Sequence, residues 1–218
     1  MYMMKAHLLQ ANILAYLTFD ARKPGIAQKF IDSCSNTLSS KPEAVEKLLS
    51  AYDITPSTPD DDALLSILRF CSEISFYAPV RAFAQGWPNT PDSKLFLYHF
   101  NEGIPWEGRF QHEAGHILDV AYLFQNFNEH LGDAQEKVAR AYAEDFINFV
   151  SGQDPWPPVQ DGKLGARIYG PSSEGVTSRW VPDGDPAKIG REDRALKLGE
   201  QYGFDTILDV CQNFYQGK

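Results

Sequence analysis

The segment Ser93 to Phe100, SKLFLYHF, is a short, apolar, aromatic-rich run bounded by Pro91-Asp92 on one side and Asn101-Glu102-Gly103 on the other. Such a run reads as a buried strand. Two further short β candidates lie at Ala166 to Gly170 and Thr177 to Val181, and elsewhere the periodicity is helical. Three strands are too few for a self-contained doubly wound sheet, so the chain is expected to be mostly helix packed on a small sheet.

The helical pattern is explicit in places. Apolar residues recur every three or four positions from Gly25 to Leu38 (Ile26, Phe30, Ile31, Cys34, Leu38) and from Pro42 to Tyr52 (Ala44, Val45, Leu48, Leu49, Tyr52). After the proline-bearing linker Ile54 to Asp60, the run Asp60-Asp61-Asp62 supplies an N-cap and first-turn acids for a long segment reaching Trp87, which Pro79 is expected to kink or divide. An apolar stretch, Gly115 to Phe124, precedes a helix from about Asp133 to Phe149 with the face Val138, Tyr142, Phe146 and Val150. The turn Ser151 to Pro158 stops it. Arg191 to Tyr215 is expected to be helical with an interruption near Gly203. There is no internal repeat.

Composition supports a folded core: of 218 residues, 43% are hydrophobic and 13% aromatic. The 29 acidic against 20 basic residues leave a net charge of −9, the wrong sign for phosphate-driven affinity. Nucleic acid and anionic membrane are therefore not expected partners. No apolar run of about 18 residues is present, and Met1 to Gln10 does not resemble a signal peptide, which gives a cytoplasmic expectation. Cys34, Cys71 and Cys211 are odd in number and far apart in sequence. They form neither a metal knuckle nor a complete disulfide framework, and one disulfide beside one free thiol stays open.

The most conspicuous chemical string is His112-Glu113-Ala114-Gly115-His116, a match to H-E-x-x-H, in which two histidines one helical turn apart bind zinc and the glutamate acts as general base. A zinc metallopeptidase is therefore one reading. It requires a helix, yet the lead-in Trp106 to Gln111 carries no apolar stripe, and a glycine inside a helix costs about 1 kcal/mol. The positions of the extended motif hold Asp119 and Tyr122 instead of glycine and histidine, and Asp119, Glu129, His130 or Glu136 would have to serve as third ligand. On these residues alone His116 is a zinc ligand, a general base, or a structural or exposed histidine.

A wider order of features bears on the same histidine: Ser75-Phe-Tyr-Ala-Pro79, then Leu97-Tyr-His-Phe100, then Gly115-His116 running to Asp119 and Tyr122-Leu-Phe124, then Asn148-Phe149, Gly152, Asp154-Pro155 and Trp156-Pro157. This order resembles the C-terminal part of the type B carboxylesterase and cholinesterase-like family of α/β-hydrolases, most like its fungal members. The resemblance implies an α/β fold over residues 1–218: one domain, predominantly helical, the C-terminal part of a hydrolase fold with helices packed on a few remaining sheet strands. It places the family's catalytic histidine on His116, the general base of a Ser-His-acid triad that hydrolyses a small-molecule carboxylic ester. No cofactor and no metal are implied. Family members are often secreted. His112 has no role in this reading, and His99 is expected to be a satisfied core residue.

The sequence departs from the family in two respects. It contains no Gly-x-Ser-x-Gly elbow, and the nearest string, Gly170-Pro-Ser172-Ser-Glu174-Gly175, reads as a plain turn. The family's triad acid aligns with Gln10 in Gln10-Ala-Asn-Ile-Leu14, and Met1 to Leu9 does not resemble the family. A neutral amide cannot stabilise an imidazolium by charge. The expectation is a fragment that supplies only the histidine, is nearly inactive alone, and requires an N-terminal half for ester binding. The alternative is a non-catalytic binding remnant of the fold. Either way, a truncated sheet is expected to expose a strand edge and to self-associate.

Overall fold

The computed structural model describes residues 2–7, 19–88, 90, 93–108, 111–112, 115, 117–160, 163–183 and 193–218, the first range as backbone. The chain divides into two compact units, Met1–Leu8 with Val80–Arg191 and Leu9–Pro79 with Glu192–Lys218.

The first unit is built on a four-stranded sheet of order β1-β2-β3-β4. β1 (Tyr2–His7) runs parallel to β2 (Leu95–Phe100), with Tyr2 opposite Leu95 and His7 opposite Phe100. β2 runs parallel to β3 (Ala166–Tyr169), which closes an antiparallel hairpin with β4 (Ser178–Val181). All six residues of β2 are buried, as the apolar run requires. Strand alternation splits them between two cores. Phe96, Tyr98 and Phe100 pack with Leu118, Tyr122, Val138, Tyr142, Trp156 and Tyr169, whereas Leu95 and Leu97 pack with Ala84, Val159, Leu164, Ala166, Ile168 and Val181. His99 is buried at 2% exposure.

Two expectations are corrected here. β1 is a fourth strand that the sequence does not announce: MYMMKAHL has neither alternation nor β-branched residues, and pairing with β2 decides its conformation. In the helix Asp133–Val150, Val138 and Tyr142 face the core as expected, but Asp145 is buried and Val150 is 62% exposed. The reason lies on β3, where Arg167 Nε and the Tyr169 hydroxyl donate to Asp145 Oδ2 at 2.9 and 2.7 Å and draw that face of the helix inward.

The second unit is helical: α1 (Ile26–Thr37), α2 (Pro42–Ala51), α3 (Asp60–Ser72) with a π-turn (Glu73–Tyr77), and the closing pair Arg194–Tyr202 and Phe204–Tyr215, broken at Gly203. The next helix, α4 (Ala78–Gln85), begins at the π-turn. Pro79 has no N–H, and its ring would meet the carbonyl of Ser75; the wider turn just before it takes up that conflict. Asp60 does not cap its own helix, whose N-cap is Pro59. Its carboxylate accepts the N–H groups of Gly25 at 3.0 Å and Ile26 at 3.2 Å, so it caps α1. Phe30, Phe70 and Phe214 form the aromatic centre, with Phe30 edge-on to both others. Asp60–Gln85 is long and apolar enough to cross a bilayer by length and composition, with mean hydropathy 1.3 over its most apolar 18 residues, but 61% of that stretch is buried in the protein.

Candidate functional site

β2 delivers the chain to the site. One more sheet bond, from Asn101 N–H to the Tyr169 carbonyl at 2.7 Å, extends the pairing before the backbone turns. The next residue, Glu102, is 3% exposed. A carboxylate at that depth is costly unless its oxygens are met. Here Oε1 accepts the Ser172 hydroxyl at 2.9 Å and Oε2 accepts the Ser172 N–H at 2.8 Å. The segment carrying Ser172 can approach because residue 170 is glycine: its φ is +72°, and a Cβ there would stand 2.6 Å from Glu102 Oε2. The string 170–175 is therefore more than a plain turn. It is a one-turn 3-10 segment anchored to a buried acid, and Ser172 spends its hydroxyl on Glu102.

After Glu102 the chain folds back on itself. Gly103 lies against the backbone of His112, 2.5 Å from where its Cβ would be, and His112 N–H donates to the Ile104 carbonyl at 3.0 Å. His112 is exposed in a left-handed turn with φ +69°. Among the described residues, the next helix begins at Leu118. The zinc reading needs both histidines on successive turns of one helix, and His112 lies outside any helix. Among the described residues, no group of three His, Cys, Asp or Glu side chains is arranged to hold a metal ion. His116, Glu113 and Gln10 lie outside the described residues.

The helix that follows, α5 (Leu118–Phe124), starts from a strained residue. Ile117 has φ +65°, a left-handed conformation that a β-branched residue adopts at a cost of about 1–2 kcal/mol. Its side chain is 54% exposed, so packing does not explain that conformation. Inward from it, Leu118 and Tyr122 join the core. Asp119 is 3% exposed and accepts the Tyr98 hydroxyl at 3.4 Å, and Tyr98 in turn accepts the Tyr142 hydroxyl at 3.0 Å. Burial pushes the phenols of Tyr98 and Tyr142 above the ordinary tyrosine range, so both keep their protons and the chain of donors ends on Asp119. Burial, followed by the nearby charge of Glu102, raises Tyr122 as well.

Glu102 with Ser172, and Asp119 with Tyr98 and Tyr142, thus hold the strand exit and the helix start between which residue 116 falls in sequence. From sequence, Asp119 is a candidate third ligand, Ser172 a serine in a plain turn and Tyr142 a helix-face residue, with nothing local to relate them. Glu102 carried a signal, an acid directly behind six apolar strand residues, but its partner lies 70 positions away.

No protein-family model matches the chain, and no curated protein matches it significantly. Among solved structures it is similar to the crystal structure of juvenile hormone esterase from Manduca sexta with OTFP covalently attached, at TM-score 0.54 and 15% identity. The likeness covers 98% of this chain and 41% of that one, so the chain spans less than half the length of the esterase it matches. The fold of this chain is esterase-like, a mixed helix and sheet arrangement consistent with part of an α/β-hydrolase fold, with nothing in the likeness specific to the fungal members.

Proposed function

We propose that this chain belongs to a carboxylesterase-type serine hydrolase and contributes the general base His116 to a Ser-His-acid triad acting on a small-molecule carboxylic ester. The observation that carries the reading is the esterase-like fold over 98% of the chain. It is supported by the backbone strain at Ile117, immediately after position 116, since such strain gathers at functional sites. The 218 residues hold no Gly-x-Ser-x-Gly string, so the nucleophile has to come from elsewhere. Alone, the chain is expected to hydrolyse a short-chain p-nitrophenyl ester no faster than its His116→Ala variant. Produced together with the coding sequence that precedes it in the genome, it is expected to show esterase activity that His116→Ala abolishes. Upstream sequence without an in-frame elbow would overturn the reading, as would robust activity of the chain alone that His116→Ala removes.

A second reading, a non-catalytic binding remnant, is favoured by one observation. Val120 and Phe124 on α5, and Ile117 just before it, are apolar and exposed at 41%, 66% and 54%. β1 also lacks a neighbour on its outer side among the described residues, so self-association through that edge is proposed. Light scattering tests it, and a monodisperse monomer counts against it.

A further inference from the structure

We propose that Cys211 is a site of covalent modification by small apolar α,β-unsaturated carbonyl compounds, which enter a cavity of about 230 Å³ in the helical unit and add to its sulfur.

The cysteines far apart in sequence are brought into one unit: Cys34 on α1, Cys71 on α3, and Cys211 on the closing helix Phe204–Tyr215. Cys71 and Cys211 are neighbours, and the Ser75 hydroxyl lies 3.8 Å from Cys211 Sγ. All three of these side chains line the cavity. Its remaining walls are largely apolar, with Leu68 and Phe19 inside and Phe76 and Tyr215, each 39% exposed, on the solvent side.

The three thiols are not equivalent. The neighbouring Cys71 thiol, with a smaller effect from the Ser75 hydroxyl, draws Cys211 below the ordinary thiol range against the opposing effect of burial. Cys71 is pushed well up, by the neighbouring Cys211 thiol and then by burial. Burial pushes Cys34 up. Nucleophilicity resides in the thiolate, so one sulfur of the three is prepared to react and it faces a cavity. An apolar wall admits an uncharged enone and rejects a charged reagent, which would lose its hydration without a counter-charge.

The step balances without a co-reactant. The Cys211 thiol releases its proton to water, Sγ forms a C–S bond to the β-carbon, and the alkene electron pair moves to the α-carbon and carbonyl as an enolate. The α-carbon then takes a proton from water, and nothing leaves. The proposal is independent of the hydrolase reading, since none of these residues lies in the unit that carries position 116.

The test treats the folded full chain with N-ethylmaleimide at pH 7 and locates the adduct by peptide mass mapping. The first equivalent is expected on Cys211, about tenfold faster than on Cys34 or Cys71. The apolar maleimide is expected to outpace iodoacetate by about tenfold once each rate is divided by that reagent's rate with glutathione. Ser75→Ala is expected to slow labelling several-fold at pH 7 but not at pH 10, where the thiol ionises without help. Equal labelling of all three cysteines, labelling only in urea, or no disadvantage for iodoacetate would overturn the proposal. The site mapping uses the unsubstituted chain and so does not depend on a variant that folds.

Discussion

Both carboxylate oxygens of Glu102 are engaged by one residue, Ser172, whose hydroxyl meets Oε1 at 2.9 Å and whose N–H meets Oε2 at 2.8 Å. The pair ties the exit of β2 to the turn after β3 across 70 residues of sequence. Ser172→Ala removes one bond and keeps the other, and is expected to cost about 1 kcal/mol. Glu102→Ala leaves the Ser172 N–H without its acceptor and is expected to cost about 2–3 kcal/mol. The double variant should cost less than the sum of the singles, because both changes remove the same bond. Urea unfolding of the four proteins checks this, and strict additivity would mean that the two side chains act separately.

Ile117 carries a conformational cost that its exposed side chain does not repay. Ile117→Asn is expected to stabilise the fold by about 1 kcal/mol, since asparagine tolerates the left-handed region. Ile117→Ala lacks the short polar side chain by which asparagine hydrogen-bonds locally, and so is expected to bring a smaller gain. Thermal unfolding distinguishes the two. If His116 acts as proposed, releasing this strain should also lower the esterase activity of the completed enzyme.

Five of the ten tyrosines, Tyr52, Tyr98, Tyr122, Tyr142 and Tyr169, are held above the ordinary value of 10.0, in each case chiefly by burial. Above pH 10 the unfolded chain loses these protons while the folded one retains them. The unfolded state then binds fewer protons, and stability falls as pH rises. Their contribution is fully present below pH 10 and is lost above it. An alkaline titration should show phenolate absorbance from these tyrosines appearing in step with loss of the near-ultraviolet circular dichroism. Smooth ionisation with the fold intact would contradict it.

Asp145 serves both Arg167 and Tyr169, at 2.9 and 2.7 Å. Asp145→Ala leaves a partly buried guanidinium and a buried phenol without their acceptor. It is expected to cost about 3 kcal/mol, near the lower end for breaking a buried pair. Asp145→Asn keeps an acceptor and should cost less. Denaturant midpoints order the three proteins, and an Asp145→Ala midpoint equal to the unsubstituted one would show the network to be dispensable.

Local chemistry made much of the helical frame legible. The stripes at Ile26 to Leu38 and Pro42 to Tyr52 announce helices because a buried face needs three- and four-residue spacing, and both are observed. Pro79 announces a disturbance because its ring cannot sit in a regular turn, and a π-turn precedes it. The β2 run announces burial, and its six residues are buried. The site was less legible. Glu102 and Ser172 are unremarkable apart, and the Tyr142 to Tyr98 to Asp119 chain joins a helix, a strand and a second helix that no local pattern relates.

The sequence by itself determined which segments could be helix and which could be buried strand, because propensity and periodicity act over a few residues. Tertiary structure alone decided that Tyr2 to His7 would form a strand, since β2 offers it an edge, and that Asp60 would cap a helix other than its own. It also decided that Asp145 rather than Val150 would turn inward. In each case the deciding partner is a hydrogen-bonding group distant in sequence, and a buried polar group is stable only where such a partner meets it.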